Sequence, residues 1–207
     1  MALKIYGVAR SRAFRTLWMA GELGLDYEHV KLDFADGSTR RPDYLAINPN
    51  GHVPAIDDDG FRLWESMAIN LYLAKKYGSA PGGLYPQRLE DEARVWQWSF
   101  WGMTEIERPA LAALLNRIGP EDRRDAAAAD EGERALAAPL RVLDGAVAAM
   151  PYLLGDAFTV ADLNVASILA WARQARVGFS AVPHAEAWLK RCHDRAAAQQ
   201  ARQLQRE

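Results

Sequence analysis

The chain has 207 residues, half of them apolar and a quarter charged, with a formal net charge of −2. That length allows one large domain or two small ones, and the near-neutral charge excludes a general pull toward nucleic acid or anionic membrane. No apolar run reaches membrane-spanning length, the opening "MALKIYGVARSR" lacks a cleavable leader pattern, and the single cysteine, Cys192, rules out an internal disulfide. A soluble cytoplasmic protein is expected.

The first 78 residues alternate in type. "LKIYG" (3–7) reads as a strand, and "RAFRTLWMAGELG" carries Phe14, Leu17, Trp18 and Leu25 at helical spacing, with Gly24 as a stop. "YEHVKLD" (27–33) reads as a second strand and "RPDYLAI" as a short helix broken by Asn48-Pro49. "VPAI" and "FRLW" flank the turn "DDDG", a hairpin signal, and "ESMAINLYLAKKYG" is a helix ending at Gly78. The order βαβαββα predicts a parallel first pair and an antiparallel closing hairpin.

"SAPGGLYPQ" (79–87) has the Gly/Pro density of a linker. Beyond it no strand pattern stands out. "EDEARVWQWSFWGMTEIERPALAALLNRIG" reads as a long helix kinked at Pro109, and "DRRDAAAADEGERALAAPLRVLDGAVAAM" as a second helix bent near Pro139. "FTVADLNVASILAWARQA" opens with Thr159 and Asp162 in capping-box spacing, and "PHAEAWLKRCHDRAA" is a fourth helix. The polar tail "QQARQLQRE" is expected to fray. The expected layout is an α/β domain at 1–78, a linker at 79–87 and an all-helical domain at 88–207.

Cys192 beside His193 does not read as a metal or nucleophile site: neighbours on a helix diverge by about 100° and no further ligand residues stand nearby. His29 and His184 are equally isolated.

Three short stretches carry possible chemistry. In "YGVARSRAFR", Ser11 precedes the first helix, where a hydroxyl can be a plain cap or can face an anionic ligand. In "HVP", Pro54 interrupts the start of a strand; a trans bond is the ordinary state, while a cis bond would leave the Val53 N–H and C=O for a peptide-like ligand. In "WES", Glu65 and Ser66 stand where a strand runs into a helix. They can act as an ordinary N-terminal acid and cap, or hold the ammonium and carboxylate of an amino acid.

In their order and spacing these stretches, with "LGLDYE", "YLAINPNGHVPAI", "LWESMAINLYLAKKY" and "YLLGDAFTVADL", resemble the cytosolic glutathione transferase superfamily, and in particular its bacterial serine-type members. The resemblance implies a thioredoxin-like α/β domain with a cis-proline, an all-α second domain, a homodimer, and glutathione as co-substrate without a metal. It implies that Val53, presented by Pro54, pairs with the cysteinyl part of glutathione, that Glu65 and Ser66 hold the γ-glutamyl end, and that His52 and Arg40 serve the glycyl end. Thr159 and Asp162 match a folding motif of the family. Ser11, four positions before Arg15, matches the hydroxyl that activates the thiol; Tyr6, at the end of the first strand, matches the tyrosine used by other classes. Arg12 is a further candidate, since an adjacent cation would favour the thiolate. Phe100, Trp101 and Met103 match the helix lining the site of an apolar electrophile, although such a stripe is more often core than pocket. The implied activity is transfer of glutathione to that electrophile, with detoxification as the setting. Alternatives of the same fold are a glutathione-dependent isomerase, dehalogenase or reductase, or a non-catalytic binding module.

Overall fold

Leu3 and Ile5 are buried on one face of the first strand while Lys4 and Tyr6 point to the other, and this period of two organises the sheet around them. The structure is a computed structural model in which residues 3–80 and 82–206 are described; Pro81 of the expected linker and Glu207 of the tail lie outside them. The chain divides into two compact units. One holds the described residues up to Tyr85 and those from Asp194 onward; the other runs from Pro86 to His193.

In the first unit β1 (Leu3–Tyr6) pairs in parallel with β2 (Tyr27–Val30) and antiparallel with β3 (Ala55–Asp58), which pairs antiparallel with β4 (Phe61–Trp64). The sheet order is β2-β1-β3-β4. Helices α1 (Ala13–Glu22) and α3 (Ser66–Tyr77) pack together and bury Phe14, Leu17, Trp18, Ile69 and Leu73 with Ile5 and Ile56. Across the sheet, Tyr44 of the four-residue helix α2 (Pro42–Leu45) packs with Val53, Ala55, Tyr6, Leu32 and Ile47. The hairpin turn is shorter than the "DDDG" signal suggests. Only Asp59 and Gly60 intervene between the strands, at φ 52° and 92°, and the Gly60 N–H bonds the Asp57 carboxylate at 2.7 Å. Two residues with positive φ match the twist of the flanking strands.

Two segments at the edge of this unit are tied into it. The linker is fastened: the buried Tyr85 bonds the Gly78 carbonyl through its N–H at 3.1 Å, and its ring lies 5.4 Å from the Lys75 ammonium. The tail does not fray. It forms α9 (Ala196–Gln203), which buries Ala197, Ala198 and Ala201 against α1. Arg195 donates twice, at 2.7 Å, to the buried Glu22 carboxylate, which also accepts the Trp18 indole N–H at 2.9 Å. These residues therefore group with the first unit, not with the helical domain expected to extend to 207.

The second unit contains α4 (Leu89–Trp101), α5 (Glu107–Ile118), α6 (Ala126–Ala146), α7 (Val160–Gln174) and α8 (Pro183–His193). The expected break at Pro109 falls earlier. A π-helical turn, Gly102–Ile106, joins α4 to α5, and Pro109 follows it in the first turn of α5; a π turn just before a proline re-spaces the helix where the proline N–H is missing. Gly102 lets α4 approach α7: a Cβ there would lie 3.0 Å from the Ile168 side chain. Pro139 stands inside α6, which runs unbroken past it. Asp162 is fully buried. Its carboxylate accepts the Leu153 and Thr159 N–H groups at 2.8 and 3.0 Å, the Thr159 hydroxyl at 3.1 Å and the Trp188 indole at 2.9 Å. The Thr159–Asp162 pair thus caps α7 and ties it to α8.

Candidate active site

The turn from β1 into α1 is built on Gly7. At φ +122° it adopts a conformation open to glycine, and an added Cβ would lie 2.8 Å from Val53 Cβ and 3.0 Å from Ala13 Cβ. The turn and the Val53 segment are consequently in contact. His29, given no role from sequence, has its Nε2 2.8 Å from the Gly7 carbonyl. Val8 bonds back to the Leu32 carbonyl at 3.0 Å, which fixes the turn to the strand side.

Ser11 lies one residue ahead of the N-cap position held by Arg12. Its hydroxyl donates to the Val8 carbonyl at 2.7 Å and accepts the Ala13 N–H at 3.1 Å. It is therefore a local turn-former at the positive end of α1, partly open to solvent. One turn further on, the buried Arg15 donates from Nη1 to the Ser66 hydroxyl at 3.3 Å. That bond joins the start of α1 to the start of α3.

Val53–Pro54 is a cis peptide, and β3 begins only at Ala55. Among the described residues no hydrogen bond reaches the Val53 N–H or C=O. The preceding carbonyl is different. His52 O accepts the Tyr44 hydroxyl at 2.6 Å and the Asn48 side-chain amide at 2.7 Å. The His52 ring itself is exposed. Arg40 donates to the Asn50 carbonyl at 3.0 Å and lies against Gly51, where a Cβ would meet its Nη1 at 2.7 Å. Arg40 and His52 so flank one short loop.

Glu65 precedes α3 with φ 73° and ψ 114°, a strained backbone for a residue with a side chain. Its carboxylate is exposed, its carbonyl accepts the Ile69 N–H at 2.9 Å, and the first N–H groups of α3 follow it. The geometry thus offers, at one end of the sheet, a hydroxyl at a helix N-terminus, an unbonded backbone donor and acceptor, and a carboxylate beside a second helix N-terminus. Such a set can take an elongated zwitterion with a peptide bond and an anion near Ser11.

Tyr6 packs against the Tyr44, Val53 and Ala55 cluster. Its ring is half-buried on the α2 side of the sheet, 5.9 Å from the Tyr44 ring, and burial pushes its phenol above the ordinary range. Trp101 and Met103 are half-buried and Phe100 is 67% exposed, because the buried face of α4 carries Val95 and Ser99. This stripe is not core. Sequence reasoning missed Gly7, Tyr44 and Asn48; the signals available were a glycine at a strand end and the asparagine of "NPNG".

The first 75 residues match the model of the glutathione S-transferase N-terminal domain, and residues 106–196 match that of the C-terminal domain. The chain is 37% identical over 198 residues to glutathione S-transferase 3 of Zea mays, covering 90% of this chain and 86% of that one. It is 32% identical to glutathione S-transferase PARB of Nicotiana tabacum, with 91% of each chain covered. The theta class glutathione S-transferase of Xanthomonas axonopodis pv. citri, solved with glutathione bound, superposes with a TM-score of 0.88 at 32% identity over 96% of both chains.

Proposed function

Because the chain belongs to the glutathione S-transferase family, we propose that it binds glutathione in the first unit and delivers the cysteinyl sulfur to an apolar electrophile. The observation that carries this reading is the convergence of the Ser11 turn, Val53 and Ser66, held by the Gly7–Val53 contact and the Arg15–Ser66 bond. Val53 pairs with the cysteinyl backbone, Pro54 carries the chain away into β3, and Glu65 and Ser66 take the γ-glutamyl ammonium and carboxylate. Arg40 and His52 serve the glycyl carboxylate.

Ser11 supplies the activating hydroxyl, which makes the protein a serine-type member. Tyr6 does not, because its ring is committed to the Tyr44 cluster. A free thiol has a pKa near about 8.5, and the thiolate is the nucleophile. A hydrogen bond to the anion contributes roughly 1.5–3 kcal/mol and a helix N-terminus about 0.3–1 kcal/mol. Ser11 must first release the Val8 carbonyl, at a cost of roughly 0.5–1.5 kcal/mol. Roughly 0.3–3.5 kcal/mol remains, and its mid-value of about 2 kcal/mol lowers the thiol pKa by one to two units. Arg12 adds positive charge beside the sulfur. The retained Ala13 N–H polarises the hydroxyl toward its new acceptor. The thiolate then forms the C–S bond as the leaving group departs, or as an acceptor carbon takes a proton from water.

The electrophile is apolar, matching the exposed Phe100 and the half-buried Trp101 and Met103. On this reading the first domain takes glutathione and the helical one the electrophile. The protein works as a homodimer, for which the edge strand β4 offers the exposed aromatics Phe61 and Trp64. A cytoplasmic setting suits a reaction that consumes reduced glutathione.

The test follows thiolate absorbance in the ultraviolet as the glutathione complex is titrated. A bound-thiol pKa one to two units below that of free glutathione is expected; Ser11→Ala removes the shift and Tyr6→Phe keeps it. An unshifted thiol in the wild-type complex would falsify the mechanism, and no binding at millimolar glutathione leaves the binding-module reading.

A further inference from the structure

We propose that Tyr44 and Asn48 form a clamp that aims the Val53 N–H at its ligand and strengthens it as a donor, acting as positioning residues for the glutathione site; this rests on the functional reading above. Both side chains are 2% exposed, yet both spend a donor on the same loop carbonyl, His52 O, at 2.6 and 2.7 Å. The Asn48 oxygen is in turn held by the Asn50 backbone N–H at 3.0 Å and side-chain amide at 3.2 Å, so the amide cannot turn over without losing both. Tyr44 is wedged among Tyr6, Val53 and Ala55, and burial pushes its phenol up to about 12. It stays a donor throughout the physiological pH range.

The consequence follows from peptide geometry. The His52–Val53 peptide is planar and trans, so its C=O and N–H point in opposite directions. Fixing the carbonyl toward α2 fixes the Val53 N–H away from it, where no protein group receives it among the described residues. Two donors on one carbonyl also draw electron density onto its oxygen, which makes the N–H of the same peptide a stronger donor. The exposed His52 side chain takes no part, since the clamp acts on its backbone alone.

Tyr44→Phe removes one donor and keeps the ring. In the protein without glutathione, the Val53 amide proton is expected to move upfield in the NMR spectrum, reporting a less polarised N–H. Glutathione affinity is expected to fall about three- to tenfold, the value of one hydrogen bond. The bound-thiol pKa and kcat at saturating glutathione should not change, which separates the clamp from Ser11 and from a general loss of packing. Asn48→Asp keeps the oxygen that receives the Asn50 N–H and replaces the donor by a carboxylate oxygen, and it should move both readouts the same way. It decides the matter if Tyr44→Phe does not fold. Unchanged affinity in a folded variant, with or without a shift of the amide, overturns the clamp alone. Failure of the wild-type protein to bind glutathione overturns the functional reading, and with it the purpose of the clamp.

Discussion

At the start of β3 the Val53 N–H and C=O have no partner among the described residues, whereas at its end the Asp58 carboxylate is saturated. Asp58 shares the face of Ile56, so it points at α3. There it accepts the Tyr72 hydroxyl at 2.8 Å, the Lys76 ammonium at 2.8 Å and the Tyr77 hydroxyl at 2.8 and 2.9 Å. Burial pushes its carboxyl up, and the three donors more than reverse this, holding it below the usual carboxylate range. Four residues separate a backbone kept open from a side chain with nothing left to offer. Groups that build the fold are satisfied internally; groups that meet a ligand are aimed by satisfied neighbours and left with capacity. Asp162 in the second unit is of the saturated kind, with four donors on one buried carboxylate.

The comparison can be broken by substitutions that affect folding and activity together, and sharpened by those that separate them. The largest loss of stability is expected for Asp162→Ala, about 3–4 kcal/mol in denaturant unfolding, because four buried donors lose their acceptor. Ser11→Ala should lower kcat/KM about a hundredfold, by analogy with loss of a charge-stabilising donor, while costing only about 1 kcal/mol of stability from the lost Ala13 cap. A stability loss larger than its activity loss would erase the distinction drawn at β3.

Asp58→Asn should cost about 2 kcal/mol and leave glutathione affinity unchanged. It also carries a pH signature. The carboxyl is more acidic folded than unfolded, so the ionised form stabilises the fold above pH about 4, the unfolded value, and that contribution is lost as pH falls through the folded one. Urea unfolding followed from pH 6 to pH 2 should therefore show a weaker acid dependence in the asparagine variant. The smallest effect is expected for Gly60→Ala in the hairpin turn, about 1–2 kcal/mol from the left-handed backbone, again without change in glutathione affinity.

Much of this was legible in the sequence where a local signal has a single physical meaning. The alternation in "LKIY", the "DDDG" turn and the Thr159–Asp162 spacing each lead to an observed element or cap. The order of Ser11, Val53-Pro54 and Glu65-Ser66 carried a resemblance to a family, not a placement on the sheet. What stayed hidden depends on contacts far apart in the chain. "QQARQLQRE" reads as solvent-loving, and only the approach of Ala197 to Gly21, where a Cβ would lie 3.2 Å away, turns the small residues of α9 into a packing stripe. The π turn before Pro109 has no composition of its own. Tyr44 and Asn48 look like an apolar helix residue and a helix breaker; their shared acceptor is a backbone atom, which leaves no mark on the sequence.

The ion pair of Arg195 with Glu22, with Trp18 beside it, spans 173 positions of the chain. During synthesis the first unit has its whole sheet, α1 and α3 in hand before residue 90 is made, but the partners of Glu22 and Gly21 are still more than a hundred residues from being translated. The second unit, 86–193, is translated in full before those partners are made. The part of the protein that begins first is therefore the last to be finished, and until residues 195–203 emerge the helix α1, which follows the Ser11 turn, carries one bare flank.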